Sequence, residues 1–184
     1  RALGHQAGDL RRQRPGRCGL QLQQVGCRLA RHLAQQFAHR GAVVRQAPLR
    51  QGAWGAMQTG IRHAMREGYS GVVTMDADGQ HEPAELARLL QAAEAGADVV
   101  IGACPARGSF MRRQAWRYFR FLTGFAFEDL TSGFRFYNAK ACYLLAREEA
   151  TLLDYQDIGV LLLLHRAGLH VREVPVAMNP RQFG

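Results

Sequence analysis

Gly71-Val72-Val73-Thr74-Met75-Asp76-Ala77-Asp78-Gly79-Gln80-His81-Glu82-Pro83 is the stretch from which the rest of the chain takes its orientation. It begins as a short apolar, β-branched run, the pattern of a parallel strand buried on both faces. Asp76 and Asp78 then flank one residue where that strand should stop. Carboxylates two apart on an extended segment point the same way. In open α/β sheets, ligands bind at the C-terminal ends of the strands. Two hard oxygen donors on one side suit Mg²⁺ or Mn²⁺, with substrate phosphates completing the coordination. Gly79 allows a sharp turn and leaves room for a ligand. Gln80 and His81 add two polar side chains at the same mouth, although His81 is equally suited to cap the helix that follows. Pro83 fits a first helical turn, and Ala84–Ala95 is predicted as helix.

Outward from this stretch, strands and helices alternate. On the N-terminal side, Leu22, Val25, Leu29, Leu33 and Phe37 recur at spacings of three and four, which predicts an amphipathic helix over 18–39. Gly41 ends it, Ala42–Val44 reads as a short strand, and 53–67 as a helix. On the C-terminal side, Gly96 precedes a strand at 97–102. A basic, aromatic and mostly helical stretch follows over 107–127. Then come a strand at 133–137, helices at 139–150 and 156–167 with Gly168 as a cap, and a closing strand at 171–176. This alternation implies α/β architecture with a mostly parallel sheet flanked by helices. Residues 41–184 contain no linker that would divide them, so they are expected to form one domain. Residues 1–17 lack apolar periodicity and are expected to be disordered.

Composition narrows the function classes. The longest apolar run, Val160–Leu164, is too short to cross a membrane, and no signal peptide is visible at the N-terminus. Cys18, Cys27, Cys104 and Cys142 form no CxxC pair, which argues against a zinc site or disulfide framework and for a reducing, cytoplasmic setting. The net charge of +9 is concentrated in residues 1–50, which hold ten arginines and one acid, Asp9. A basic arm of this kind suits nucleic acid or an anionic membrane surface. It carries no nucleic-acid recognition motif, so a nucleic-acid partner is not expected. A DxDG segment also occurs in haloacid-dehalogenase phosphatases. There it follows the first strand of the domain and precedes Thr or Val; here a strand–helix unit comes first and Gln80-His81 follow.

Four motifs stand in one order. Gly55-Ala56-Met57-Gln58-Thr59-Gly60-Ile61 precedes the DADGQH stretch at 76–81. Asp129-Leu130-Thr131-Ser132-Gly133-Phe134-Arg135 and Glu173-Val174-Pro175-Val176 with Arg181 follow it. Together they closely resemble family 2 glycosyltransferases of the dolichol-phosphate mannose synthase type. The resemblance implies a GT-A fold and inverting transfer of a hexose from a nucleotide-sugar to a polyprenyl phosphate, with a divalent metal. It implies that Asp76, Asp78 and Gln80 hold the metal and the donor diphosphate. It implies that Ser132, Arg135 and Arg181 serve the acceptor phosphate or the closed state. An acceptor phosphate is already a competent nucleophile and needs placement more than a base. The metal would neutralise the departing diphosphate. Asp78 and Arg135 are thus the expected catalytic residues, with Gln80, His81, Arg107 and Ser132 at the substrates.

Further features fit this setting. Arg107, Arg112, Arg113, Arg117 and Arg120 offer guanidinium forks suited to phosphate. Trp116, Tyr118, Phe119, Phe121, Phe125 and Phe127 interleave with those arginines. Such a mixture suits either core packing or peripheral contact with the headgroup zone on the cytoplasmic face of a membrane. Asp154 and Asp157 precede a helix and read as caps, or Asp157 as a contact to the donor sugar.

The resemblance fails at the N-terminus. The family opens with two strands ending in Pro-x-Asn-Glu and Asp-Asp-Gly-Ser, and neither motif occurs in residues 1–40. Residues 1–40 are therefore set apart as an atypical basic segment, from a shifted reading frame or a natural truncation, with the family-like domain at 41–184 and its N-terminal strands missing. An inactive fragment whose basic arm binds anionic surfaces is the alternative function.

Overall fold

The computed structural model describes residues 18–23 as backbone, together with 52–76, 79–104, 114, 117–118, 120–121, 127–152 and 158–180. Five strands among them form one sheet: β1 (Cys18–Gln23), β2 (Gly71–Asp76), β3 (Val99–Ala103), β4 (Arg135–Asn138) and β5 (Val171–Pro175). Their spatial order is β1-β2-β4-β3-β5. The helices are α1 (Gly52–Arg66), α2 (Leu86–Glu94), α3 (Ala139–Ala146) and α4 (Ile158–Arg166).

β1 runs parallel to β2, and β3 parallel to β5, while β4 is antiparallel to both of its neighbours. Four strands therefore point one way, as the alternation of elements predicts, and β4 is the reversed one. Its reversal follows from where the chain returns. β3 ends at Ala103, and the chain re-enters the sheet at Arg135, paired with Ile101 near the same edge. Entering beside the end at which β3 stops, β4 runs back along it.

Side chains alternate between two layers as the two-residue strand period requires. Val72, Val99 and Tyr137 face α1, α3 and α4, where Trp54, Met57, Ile61, Leu145 and Leu164 complete a core. Val73, Val100 and Phe136 face α2, with Leu89, Ala92 and Phe134. Trp54, Met57, Ile61 and Ala64 lie at spacings of three, four and three on one side of α1, which is why that helix buries one stripe. Fully burying a residue such as Ile61 or Leu89 contributes about 1.5–3 kcal/mol.

Polar side chains lock α1 to the end of α3. Gln58 is buried, and its Nε2 donates to Leu145 O at 2.9 Å and to Arg147 O at 3.0 Å. Thr151 Oγ1 donates to Gln58 Oε1, and Trp54 Nε1 to Ala150 O. These bonds capture carbonyls that the helix end would leave unsatisfied. They explain why the helix expected over 139–150 stops at Ala146 and resumes as a 3₁₀ turn at Glu149–Leu152.

The N-terminal edge of the parallel strands is tied by one acid. Asp98 Oδ2 accepts from His170 N at 2.9 Å, and its Oδ1 from Asn138 Nδ2 at 2.6 Å. Asn138 Oδ1 in turn accepts from Ala141 N and caps α3. Lys140 Nζ stands 3.6 Å from Asp98. Burial pushes the Asp98 carboxyl up, but the His170 N–H, the Asn138 amide and Lys140 outweigh it and hold it below its ordinary value.

One expectation is corrected here. Residues 18–23, predicted as the start of a helix, form β1 and pair in register with β2 from Cys18↔Gly71 to Gln23↔Asp76. Cys18, Leu20 and Leu22 alternate with Gly19, Gln21 and Gln23. That two-residue period prevails where the helical spacing begins only at Leu22. The rest of that predicted helix, the strand at 42–44 and the segment 1–17 lie outside the described residues.

Candidate active site

The C-terminal edge of the parallel strands gathers the motif residues. β2 delivers Asp76 to this edge, half-buried. Gly79 turns the chain there with φ of +80°, a conformation that favours glycine. His81 Nδ1 accepts the Asp76 backbone N–H at 3.0 Å, so the neutral ring carries its proton on Nε2. The ring stacks on Phe134 with centroids 5.1 Å apart. His81 also forms an antiparallel bridge with Met178, and Asn179 N donates to Gln80 O. Asn179 Nδ2 donates to Glu82 Oε1. Residues 80–82 are thus fastened to 178–179, and His81 is buried beneath the rim as its support.

Opposite Asp76 lies the turn 128–134. A Cβ on Gly133 would stand 2.7 Å from Asp76 Oδ2 and 3.0 Å from Oδ1. Any larger residue at 133 would require the carboxylate or the turn to shift. Thr74 Oγ1 donates to Gly133 O at 2.8 Å and holds the same turn from below. Ser132 Oγ donates to Gly102 O at 2.6 Å and accepts from Phe134 N. Arg135 Nη2 donates to Leu130 O at 2.8 Å. Ser132 and Arg135, implied by the resemblance to meet a phosphate, are both buried with these bonds to main chain. These bonds join the turn to β3 and to itself.

Two further acids tie the turn to neighbouring strands. Asp129 is fully buried; its Oδ2 accepts from Cys104 N at the end of β3, and its Oδ1 from Thr131 N and Oγ1. Glu173 on β5 accepts from Glu128 N through Oε2 and from Asp129 N through Oε1, each at 2.7 Å. Burial pushes the Glu173 carboxyl up. The two N–H bonds pull it down, Asp129 and Glu128 repel it, and the net direction is upward.

Asp76, Gln80, His81, Ser132 and Arg135 are therefore at one edge. Asp78, Arg107, Asp157 and Arg181 lie outside the described residues, as do Arg112, Arg113, Trp116, Phe119 and Phe125. Arg117, Tyr118, Arg120 and Phe121 are helical, as predicted for that stretch, and Tyr118 and Phe121 are 67 % and 84 % exposed. Sequence reasoning gave no role to Asp129 or Glu173. The available signal was an acid inside the strand segment that holds Val171, Val174 and Val176, together with an acid opening the 129–135 motif.

The glycosyl transferase family 2 profile matches residues 29–149. The chain belongs to glycosyl transferase family 2. This family 2 chain is 36 % identical over 147 residues to the polyprenol monophosphomannose synthase of Mycolicibacterium smegmatis, a match covering 72 % of the chain and 54 % of the relative. It is 31 % identical over 146 residues to the undecaprenyl-phosphate mannosyltransferase of Micrococcus luteus, covering 73 % of the chain and 60 % of that relative. The chain thus spans little more than half the length of these curated relatives. Among solved structures, glucosyl-3-phosphoglycerate synthase from Mycobacterium tuberculosis superposes with a TM-score of 0.54 at 20 % identity, over 75 % of this chain and 50 % of that one. That likeness carries the fold, a mixed sheet flanked by helices of the glycosyltransferase GT-A type.

Proposed function

We propose that this chain carries the donor-binding core of an inverting glycosyltransferase that moves a hexose from a nucleotide-sugar to a polyprenyl phosphate. The names of both curated relatives support this acceptor class and favour mannose. One observation carries the reading at the level of residues. The Asp76 carboxylate sits at the C-terminal strand edge, seated on a turn whose glycine leaves space for it.

A divalent cation fits this place. Both Asp76 carboxylate oxygens lie beside Gly133, and carboxylate oxygen is the donor type Mg²⁺ and Mn²⁺ prefer. Among the described residues no group of three His, Cys, Asp or Glu could hold an ion alone. Asp76 with Asp78 and Gln80 would hold it, and diphosphate oxygens would complete the shell. When bound, the metal supplies charge neutralisation to the departing diphosphate.

The chain's own residues supply orientation. His81 fixes the Asp76 main chain, and the 128–134 turn fixes its carboxylate. A phosphate oxygen of the acceptor forms the new bond to the anomeric carbon as the bond to the nucleoside diphosphate breaks on the opposite face. No base is needed, because that oxygen is already ionised. Placement of the two reactants is then the main contribution to rate.

For location, we propose peripheral contact with the cytoplasmic face of a membrane. The exposed Tyr118 and Phe121 beside Arg117 and Arg120 support it. Aromatic rings with adjacent cations suit the headgroup zone. Among the described residues no helix is long and apolar enough to cross a membrane.

The test is incubation of the chain with radiolabelled nucleotide-mannose, Mn²⁺ and a polyprenyl phosphate. The expected outcome is label extracted into organic solvent as sugar phospholipid. Label confined to the aqueous phase for mannose, glucose and galactose donors alike would refute the reading.

A further inference from the structure

The edge that carries Asp76 is held together by side chains reaching across long sequence distances. Glu173 stands at one end of this chain of bonds. Its two carboxylate oxygens accept the consecutive N–H groups of Glu128 and Asp129. Asp129, oriented by its own N–H, reaches Cys104 N at the end of β3 and Thr131 within the turn. Ser132 continues the sequence of bonds to Gly102 O, and Thr74 secures Gly133 O to β2. The last step is contact: a Cβ placed on Gly133 would stand 2.7 Å from Asp76 Oδ2, so the turn lies directly against the carboxylate.

We infer that Glu173 is a positioning residue for sugar transfer: its carboxylate anchors the 128–134 turn, and through that turn it sets the seat of the Asp76 carboxylate. The inference rests on the reading that Asp76 serves the donor diphosphate. Glu173 touches no reacting atom. It acts as the outer support of a ligand group, a role whose loss in metal-binding sites typically costs about ten- to a hundredfold in activity or metal affinity.

The chemistry of the bond makes Glu173 hard to replace. Two consecutive N–H groups demand two acceptors, and a carboxylate supplies both. Glutamine supplies one, and its amide would turn a donor toward the other N–H. Removing the charge also relieves repulsion from Asp129 and Glu128, so Glu173→Gln should lose an anchor with little net change in folding stability. That separates a positioning effect from simple unfolding.

The experiment compares wild type, Glu173→Gln and, as a control at the opposite sheet edge, Asp98→Asn. Steady-state transfer should show kcat lowered by about ten- to a hundredfold in Glu173→Gln, with donor KM changed by less than about threefold. Asp98→Asn should retain wild-type kcat per folded molecule. Amide hydrogen exchange supplies the second arm. The Glu128, Asp129 and Cys104 amides should lose protection in Glu173→Gln, while the β2 amides of Val73 and Met75 keep it. Wild-type kcat in Glu173→Gln, an equal fall in Asp98→Asn, or unchanged protection at Glu128 and Asp129 would each overturn the inference. If wild type transfers no sugar, the reading of Asp76 fails by itself, and the exchange arm still decides whether Glu173 holds the turn.

Discussion

The two edges of the sheet use acids in opposite ways. At the N-terminal edge, Asp98 meets a cation, an amide and a backbone N–H, and its carboxyl is held below its ordinary value. At the C-terminal edge, Glu173 and Asp129 lie close together, and the charged neighbours that shift Glu173 are themselves acids. One arrangement is a satisfied structural tie. The other keeps like charges together on backbone N–H groups, at the edge where a further cation and a diphosphate are proposed to bind. Unbalanced charge of this kind costs stability, and it concentrates where a site is preorganised for a ligand.

The largest effect should come from breaking the C-terminal edge at its closest contact. Gly133→Ala places a methyl group 2.7 Å from Asp76 Oδ2, so carboxylate or turn must move. A displacement near 1 Å at a reacting centre can cost about a hundredfold, and kcat should fall by that order. The same transfer assay used for wild type reads it. A kcat within twofold of wild type would show that the seat of Asp76 is not needed.

Breaking the other edge should separate folding from chemistry. Asp98→Ala removes the partners of Asn138 Nδ2 and His170 N. Hydrogen bonds to charged groups are worth about 1.5–3 kcal/mol each, so urea unfolding should show a loss of that order. Transfer per folded molecule should not change.

These contrasts bear on what was legible in the sequence. β2, the Asp76 turn, the helix opened by Pro83 and the stop at Gly96 were readable because each rests on local chemistry: β-branched burial, a proline at a first turn, a glycine with positive φ. The reversal of β4 was not readable, because strand direction depends on which edge the chain re-enters, a nonlocal fact. β1 was missed because Leu22 belongs to two competing periods. Ser132 and Arg135, expected to serve the acceptor phosphate, stand at the turn on the C-terminal edge. Their inward bonds to Gly102 O and Leu130 O could not be foreseen, since a hydroxyl or guanidinium in a motif looks alike whether it faces a phosphate or a carbonyl. Glu173 was visible as an acid in a strand, but its partners lie 44 and 45 residues away.

The smallest effect is a pair of opposite pH slopes. Asp98 has a folded value below its ordinary 3.8, so its stabilisation is present above that pH and lost as pH falls through the folded value. Glu173 has a folded value above its ordinary 4.5. Its contribution is therefore greatest below 4.5 and is lost as pH rises through the folded value. Chemical unfolding of wild type, Asp98→Asn and Glu173→Gln between pH 3 and 7 should show the Asp98 contribution growing with pH and that of Glu173 shrinking. Parallel slopes would remove the distinction between the edges.

The central claim is that Asp76 holds a cation that carries the donor diphosphate. Calorimetric titration of a nucleoside diphosphate into the wild-type chain and Asp76→Asn, each with and without Mn²⁺, tests it most directly. Binding should require Mn²⁺ in wild type and weaken at least about tenfold in the variant, the loss typical of disturbing a metal's ligand set. Equal affinity in the two proteins, or binding indifferent to Mn²⁺, would contradict the account.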